Sequence, residues 1–166
     1  LPYETKAMMI DTIKFVNKEK CEIIITGRTK QFLSLVGEHL SQDNMNQAIE
    51  NISNELKINI NEFTVAGFRN DKTFAHHWYI GCDEPIDKEL AIKKIDEHLK
   101  VLNDDYRVER EEALSNLYID ILPTHVFYDF MEKTGKIGGA TKFPRVLKGK
   151  RYDDWKDYIS SMNLEK

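Results

Sequence analysis

At 166 residues with 41% hydrophobic side chains, the chain is long enough for one well-buried core and too short for two ordinary domains. Its 24 basic and 28 acidic side chains leave a net charge of −4, which opposes a broad phosphate-tracking surface, so no nucleic-acid partner is expected. No apolar run approaches twenty residues and no charged start leads into an apolar stretch, so we expect neither a membrane span nor a signal peptide, and a cytoplasmic location with no membrane partner.

The first residue is Leu1 rather than Met, and a fragment or processed product is expected. Residues 12–16 and 21–26 are β-branched and aromatic, separated by Asn17-Lys18-Glu19-Lys20, and predict a hairpin ended by Gly27. Met45, Ala48, Ile49, Ile52 and Leu56 recur at helical spacing behind the candidate caps Ser41 and Asp43. Strands near 62–68 and 73–82 flank the turn Arg69-Asn70-Asp71-Lys72 and read as an antiparallel pair. Ile92, Ile95, Leu99 and Leu102 mark a second amphipathic helix, followed by a charged segment over 104–112, where Asn103 and Tyr106 pin a helix start. A strand at 117–122 is stopped by Pro123, and Thr124 is placed to cap a short helix carrying Val126, Phe127, Phe130 and Met131. Trp155, Tyr158, Ile159 and Met162 form the last helical stripe. The sum is an α+β fold, a small mixed and mainly antiparallel sheet flanked by helices. Cys21 and Cys82 lie inside apolar segments and are expected as buried thiols rather than a disulfide.

Metal and hydrolase chemistry find little support in the pattern. Alternation along a strand sends His76 and His77 to opposite faces, and Cys82 lies about 20 Å from His76 at roughly 3.3 Å per residue, so no zinc site is expected. His39, His98 and His125 are scattered, no Ser or Cys has a base partner at a motif spacing, and no Walker phosphate loop occurs. The exception is the stretch 133–151, which carries Lys133, Lys136, Lys142, Arg145, Lys148, Lys150 and Arg151 with no acidic residue, so the rest of the chain stands at −11. A positive loop on a negative body focuses its field on a local anion, although a run of this kind also serves as a solvated loop. Lys142, followed by Phe143-Pro144-Arg145, is the candidate for neutralising a phosphoryl group; Pro144 fixes the local backbone and Gly138-Gly139 upstream give freedom to swing.

Several stretches together resemble one family. They are Asp11-Thr12-Ile13-Lys14-Phe15, Ile25-Thr26-Gly27-Arg28-Thr29-Lys30, Val36-Gly37-Glu38, Leu102-Asn103-Asp104-Asp105-Tyr106 with Arg107 and Arg110, and the run from Gly135 through Lys142-Phe143-Pro144-Arg145. In order along nearly the whole chain, these resemble the C-terminal domain of the Gretchen Hagen (auxin-responsive promoter) acyl acid-amido synthetases, bacterial branch, within the adenylate-forming superfamily. The resemblance implies a two-step ligase: ATP activates a carboxylic acid to an acyl-adenylate, and an amino acid amine then displaces AMP to form an amide. It implies that the whole chain is the single small domain, with residues 1–30 an entry hairpin and hinge and 31–166 an α+β body bearing the basic loop 133–151.

By that likeness Asp11 sits where the ribose hydroxyls are held, Arg28 lies close to the nucleotide, Lys30 falls at the hinge, and Lys142 is the adenylation lysine, with Gly138, Gly139 and Arg145 supporting its loop. ATP and Mg2+ would be bound mainly by an N-terminal adenylation domain, which would be the partner together with small carboxylic acid and amino acid substrates. On this likeness the chain alone would be inactive. The alternative is a non-catalytic α+β binding module derived from such an enzyme, which the unusual residues Ala7-Met8-Met9-Ile10 and Ala140-Thr141 leave open.

Overall fold

A computed structural model describes residues 11–17, 19–28, 32–135 and 142–162. The first strands, β1 (Asp11–Asn17) and β2 (Glu22–Arg28), pair antiparallel as the β-rich composition predicts, but β2 runs past Gly27 to Arg28. Asn17 Oδ1 accepts the Glu19 and Lys20 N–H groups at 3.0 and 3.1 Å and closes the turn. Cys21 stands at that turn with φ 53°, exposed and not in a disulfide, which corrects the expectation of a buried thiol.

A four-stranded mixed sheet forms the body, in the order β5-β4-β3-β6, from β3 (Glu62–Asn70), β4 (Thr73–Gly81), β5 (Leu114–Leu122) and β6 (Val146–Leu147). The β3–β4 hairpin is antiparallel over its full length, from Glu62 opposite Gly81 to Asn70 opposite Thr73. β5 joins β4 in parallel and β6 joins β3 in parallel, each after a crossover through helix, as parallel neighbours require. The α+β class stands as expected.

Helices cover both faces of this sheet. On one side α1 (Gln42–Leu56) and α2 (Lys88–Leu102) lay Met45, Ala48, Ile49, Ile52, Ala91, Ile95 and Leu99 against Val65, Trp78, Ile80 and Ile119. On the other, α4 (His125–Lys133) and α5 (Lys150–Ser161) gather Phe127, Phe130 and Trp155 over Ala66, Tyr79 and Leu122. Double coverage explains why β4 is buried almost without alternation from Ala75 to Gly81. Each fully buried large side chain contributes about 1.5–3 kcal/mol.

The helix ends are set by side-chain oxygens at three places. Ser41 and Asn44 form a reciprocal capping box at α1, so Ser41 and not Asp43 is the cap. Asp87 Oδ1 accepts from Glu89 and Leu90 N–H groups at α2. Asn103 ends α2 and starts α3 (Asp104–Glu112), its Oδ1 taking the Tyr106 N–H at 2.7 Å. Thr124 departs from expectation: its backbone is already helical and its side chain caps nothing. Its N–H donates to Asp83 Oδ1 at 2.9 Å and its hydroxyl accepts from Asn61 at 3.2 Å, so it pins α4 to the far end of the sheet.

Candidate functional site

The site is built on the arm that follows residues 136–141, a stretch outside the described residues that contains Gly138 and Gly139. Phe143 is 2% exposed and meets Phe127 and Trp155 edge-on at 5.0 and 5.1 Å, a geometry that adds about 0.5–1.5 kcal/mol per pair beyond area burial. The next residue is held through its carbonyl, which accepts the Thr64 hydroxyl at 2.8 Å. Arg145 then offers its carbonyl to Val65 N–H at 2.9 Å and begins the β3–β6 pairing. Its guanidinium donates to Glu62 Oε2 at 2.6 Å and to the Phe63 carbonyl at 3.0 Å, and lies 4.4 Å from the centre of the Phe63 ring. Every residue from Phe143 to Leu147 is therefore tied to β3 or to the aromatic cluster. Lys142, immediately before this arm, is exposed and joins no ion pair among the described residues.

Among the described residues, several cations of the basic run are already engaged, so the described part of 133–151 is not one free cationic loop. Lys133 closes α4 and lies 5.2 Å over the Tyr158 ring. Lys148 Nζ donates to the Phe32 carbonyl at 2.6 Å, and Lys150 pairs with Asp154 at 2.6 Å within α5. Among the described residues of the run, with Arg145 committed to Glu62 and Arg151 half-buried on α5, exposed Lys142 keeps the positive charge best able to meet an incoming anion.

Asp11 and Arg28 are register partners at the open end of the β1–β2 hairpin, so the two nucleotide candidates are brought together in the backbone. Lys30 lies outside the described residues, as does Lys136. Among the described residues, no group of three or more His, Cys, Asp and Glu side chains is placed to hold a metal ion.

His76 and His77 point to opposite faces, as strand alternation requires. His77 Nε2 meets Asp120 Oδ2 at 2.9 Å and its Nδ1 meets the Tyr79 hydroxyl at 3.1 Å, on a half-exposed face. His76 is fully buried, and its Nε2 lies 3.0 Å from Glu38 Oε1, itself fully buried. Burial acts to raise the Glu38 pKa, but the His76 hydrogen bond and the N–H groups of Val36 and Leu35 outweigh it and bring the carboxyl down to about 2. Burial depresses the His76 pKa against the pull of Glu38, so the ring is neutral. The carboxylate fixes the tautomer: Nε2 carries the proton and donates it, while Nδ1 is a buried acceptor without a partner among the described residues. This pair was not foreseen from sequence, where the only signal is an acidic residue directly after Gly37.

A family model, the GH3 family C-terminal domain, matches residues 30–151. No curated protein matches the chain. Among solved structures the chain is similar to a GH3.15 acyl acid amido synthetase, with 16% identity and a TM-score of 0.67 over 84% of this chain and 27% of that one. It is also similar to the AtGH3.15 acyl acid amido synthetase in complex with 2,4-DB, with 17% identity and a TM-score of 0.60 over 83% of this chain and 26% of that one. At such identity the likeness is one of fold. The chain spans about a quarter of the length of these structures.

Proposed function

We propose, from the premise that this chain belongs to the GH3 family as its C-terminal domain, that it is the mobile small domain of an ATP-dependent acyl acid amido synthetase. The observation that carries this reading is Lys142, an exposed cation without an ion-pair partner among the described residues, set at the end of an arm whose next five residues are immobilised. An ammonium so presented is suited to neutralise the charge that develops as a carboxylate attacks the α-phosphate of ATP. One preorganised donor of this kind is worth about 2.7–4 kcal/mol of barrier. Lys142 would leave the site when the domain turns about Lys30 for amide formation, and Asp11 and Arg28, paired at the base of the hairpin, would face the nucleotide's ribose and phosphates. The acyl pocket, most of the ATP contacts and Mg2+ would belong to an N-terminal adenylation domain.

The test is K142A in the full-length protein. Adenylate formation, read as ATP–pyrophosphate exchange, is expected to slow about a hundredfold or more, whereas a supplied acyl-adenylate still reacts with amine at nearly the normal rate. K150A is the matched control, because it removes equal charge from a lysine already committed to Asp154. Equal modest losses from both substitutions would refute the assignment.

A further inference from the structure

We propose that residues 32–40 form a rigid clasp that fixes the hinge side of the chain to the sheet, with Glu38 as its lock and His76 as the positioning residue acting through Glu38. The inference rests on the reading of Lys142 and Lys30 given above. Leu33 and Leu40 exchange two backbone hydrogen bonds, 3.0 and 2.9 Å, and close the neck of the segment. Inside it the Glu38 carboxylate accepts the N–H groups of Leu35, Val36 and Gly37 at 2.8, 3.0 and 3.2 Å. Three successive donors can converge on one side chain only because the backbone turns at Gly37, whose φ of 123° is open chiefly to glycine.

The locked turn is then fastened to one rung of the β3–β4 ladder. His76 donates to Glu38 from below, and its register partner is Gly67. Leu35 occupies the space above Gly67, where a Cβ would stand 2.6 Å from the Leu35 Cδ1. At the other end, the Phe32 carbonyl is held by Lys148, on the arm that begins at Lys142. Segment 32–40 has no helix and no ladder of its own beyond the Leu33–Leu40 bridge, so without the lock it would be compliant. With the lock, a rotation at residue 30 turns sheet, arm and Lys142 as one body.

An apolar plug could have filled this space at less cost, since a shut-in carboxylate is tolerated only with a full set of donors. What the charged lock adds is a single geometry. Placement matters at the site, because a 1 Å displacement of a catalytic group costs up to about a hundredfold in rate.

The experiment compares H76L with H76Q in the full-length protein, reading amide hydrogen exchange over 32–40 together with the two half-reactions. H76L removes the donor, whereas the H76Q amide returns an N–H near the position of Nε2. In H76L, exchange at residues 35–37 is expected to accelerate tenfold or more, and adenylate formation at saturating substrates to fall about tenfold. Transfer from a supplied acyl-adenylate should change less than about twofold, and H76Q should restore both readouts to within about threefold. Unchanged exchange at 35–37 overturns the lock. Faster exchange with both half-reactions untouched, or both slowed equally, overturns the positioning role. If H76L does not fold, E38Q supplies the same two readouts. A K142A protein that adenylates normally would instead refute the functional reading, and exchange at 35–37 would then decide the clasp by itself.

Discussion

Removing the Arg145 guanidinium should destabilise the protein far more than an exposed ion pair would. The side chains of Arg145 and Glu62 are 16% and 10% exposed, so R145M leaves a nearly buried carboxylate with its main partner gone. It also abandons the bond to the Phe63 carbonyl and the stacking on the Phe63 ring. Breaking one side of such a pair costs about 3–5 kcal/mol, and residual water at Glu62 places the expectation near 3. E62Q keeps the Phe63 contacts and should cost about 1–2 kcal/mol. The double variant E62Q/R145M no longer strands a charge and should be no worse than R145M, giving a coupling of about 1–2 kcal/mol. Urea unfolding followed by the fluorescence of the two buried tryptophans, Trp78 and Trp155, the latter in the cluster that receives Phe143, measures all four corners of the cycle. Losses that add to within about 0.5 kcal/mol would mean that the pair is not coupled and that the arm is held by Phe143 and β6 alone.

Acid should unfold the protein partly through Glu38. Its carboxyl is held at about 2 against an ordinary 4.5, so its contribution, about 3 kcal/mol, is whole above pH 4.5 and is lost as pH falls through 2. His76, held below its ordinary 6.5 by burial, adds a loss that begins as pH drops under 6.5. Urea midpoints taken across this range should show a flatter acid limb in E38Q, and an unaltered limb would contradict the assignment. G67A should cost about 1–3 kcal/mol because its Cβ invades Leu35, and L35A should recover part of that loss in thermal melts; a neutral G67A would show that Leu35 moves away freely.

Elements with strong periodicity were legible: α1, α2, α5 and the β3–β4 hairpin follow from the spacing of Met45 to Leu56, Ile92 to Leu102, Trp155 to Met162 and the β-branched runs about Asp71. The charged segment 104–112 carries only a helix-start signal because it buries Tyr106 alone, and the helix depends on the Asn103 cap and on Arg110 reaching Asp96 and the Leu114 carbonyl. β6 was hidden for a different reason. Two residues have no periodicity, and their pairing is dictated by the groove beside β3 rather than by local preference. Thr124 has the right chemistry for a cap, but its amide and hydroxyl are claimed by Asp83 and Asn61, residues far along the chain.

For the site, charge counting found the basic run but could not tell Lys142, exposed and without an ion pair among the described residues, from the lysines already engaged by Phe32, Asp154 and Tyr158. A buried Glu38 is invisible to composition altogether, because an acidic residue reads as surface until its donors are assembled around it.

The parallel join of β6 to β3 also carries a kinetic consequence. Val65 meets Val146 across roughly eighty residues of chain, so closing that register sacrifices more loop entropy than any hairpin in the molecule. The pairing becomes favourable only once α4 and α5 have raised the aromatic wall that receives Phe143, which sets it late in folding. Damage to the arm should then leave the folding rate nearly unchanged and appear as faster unfolding, so that the segment bearing Lys142 matures after the layers it leans on and is the first to come loose from them.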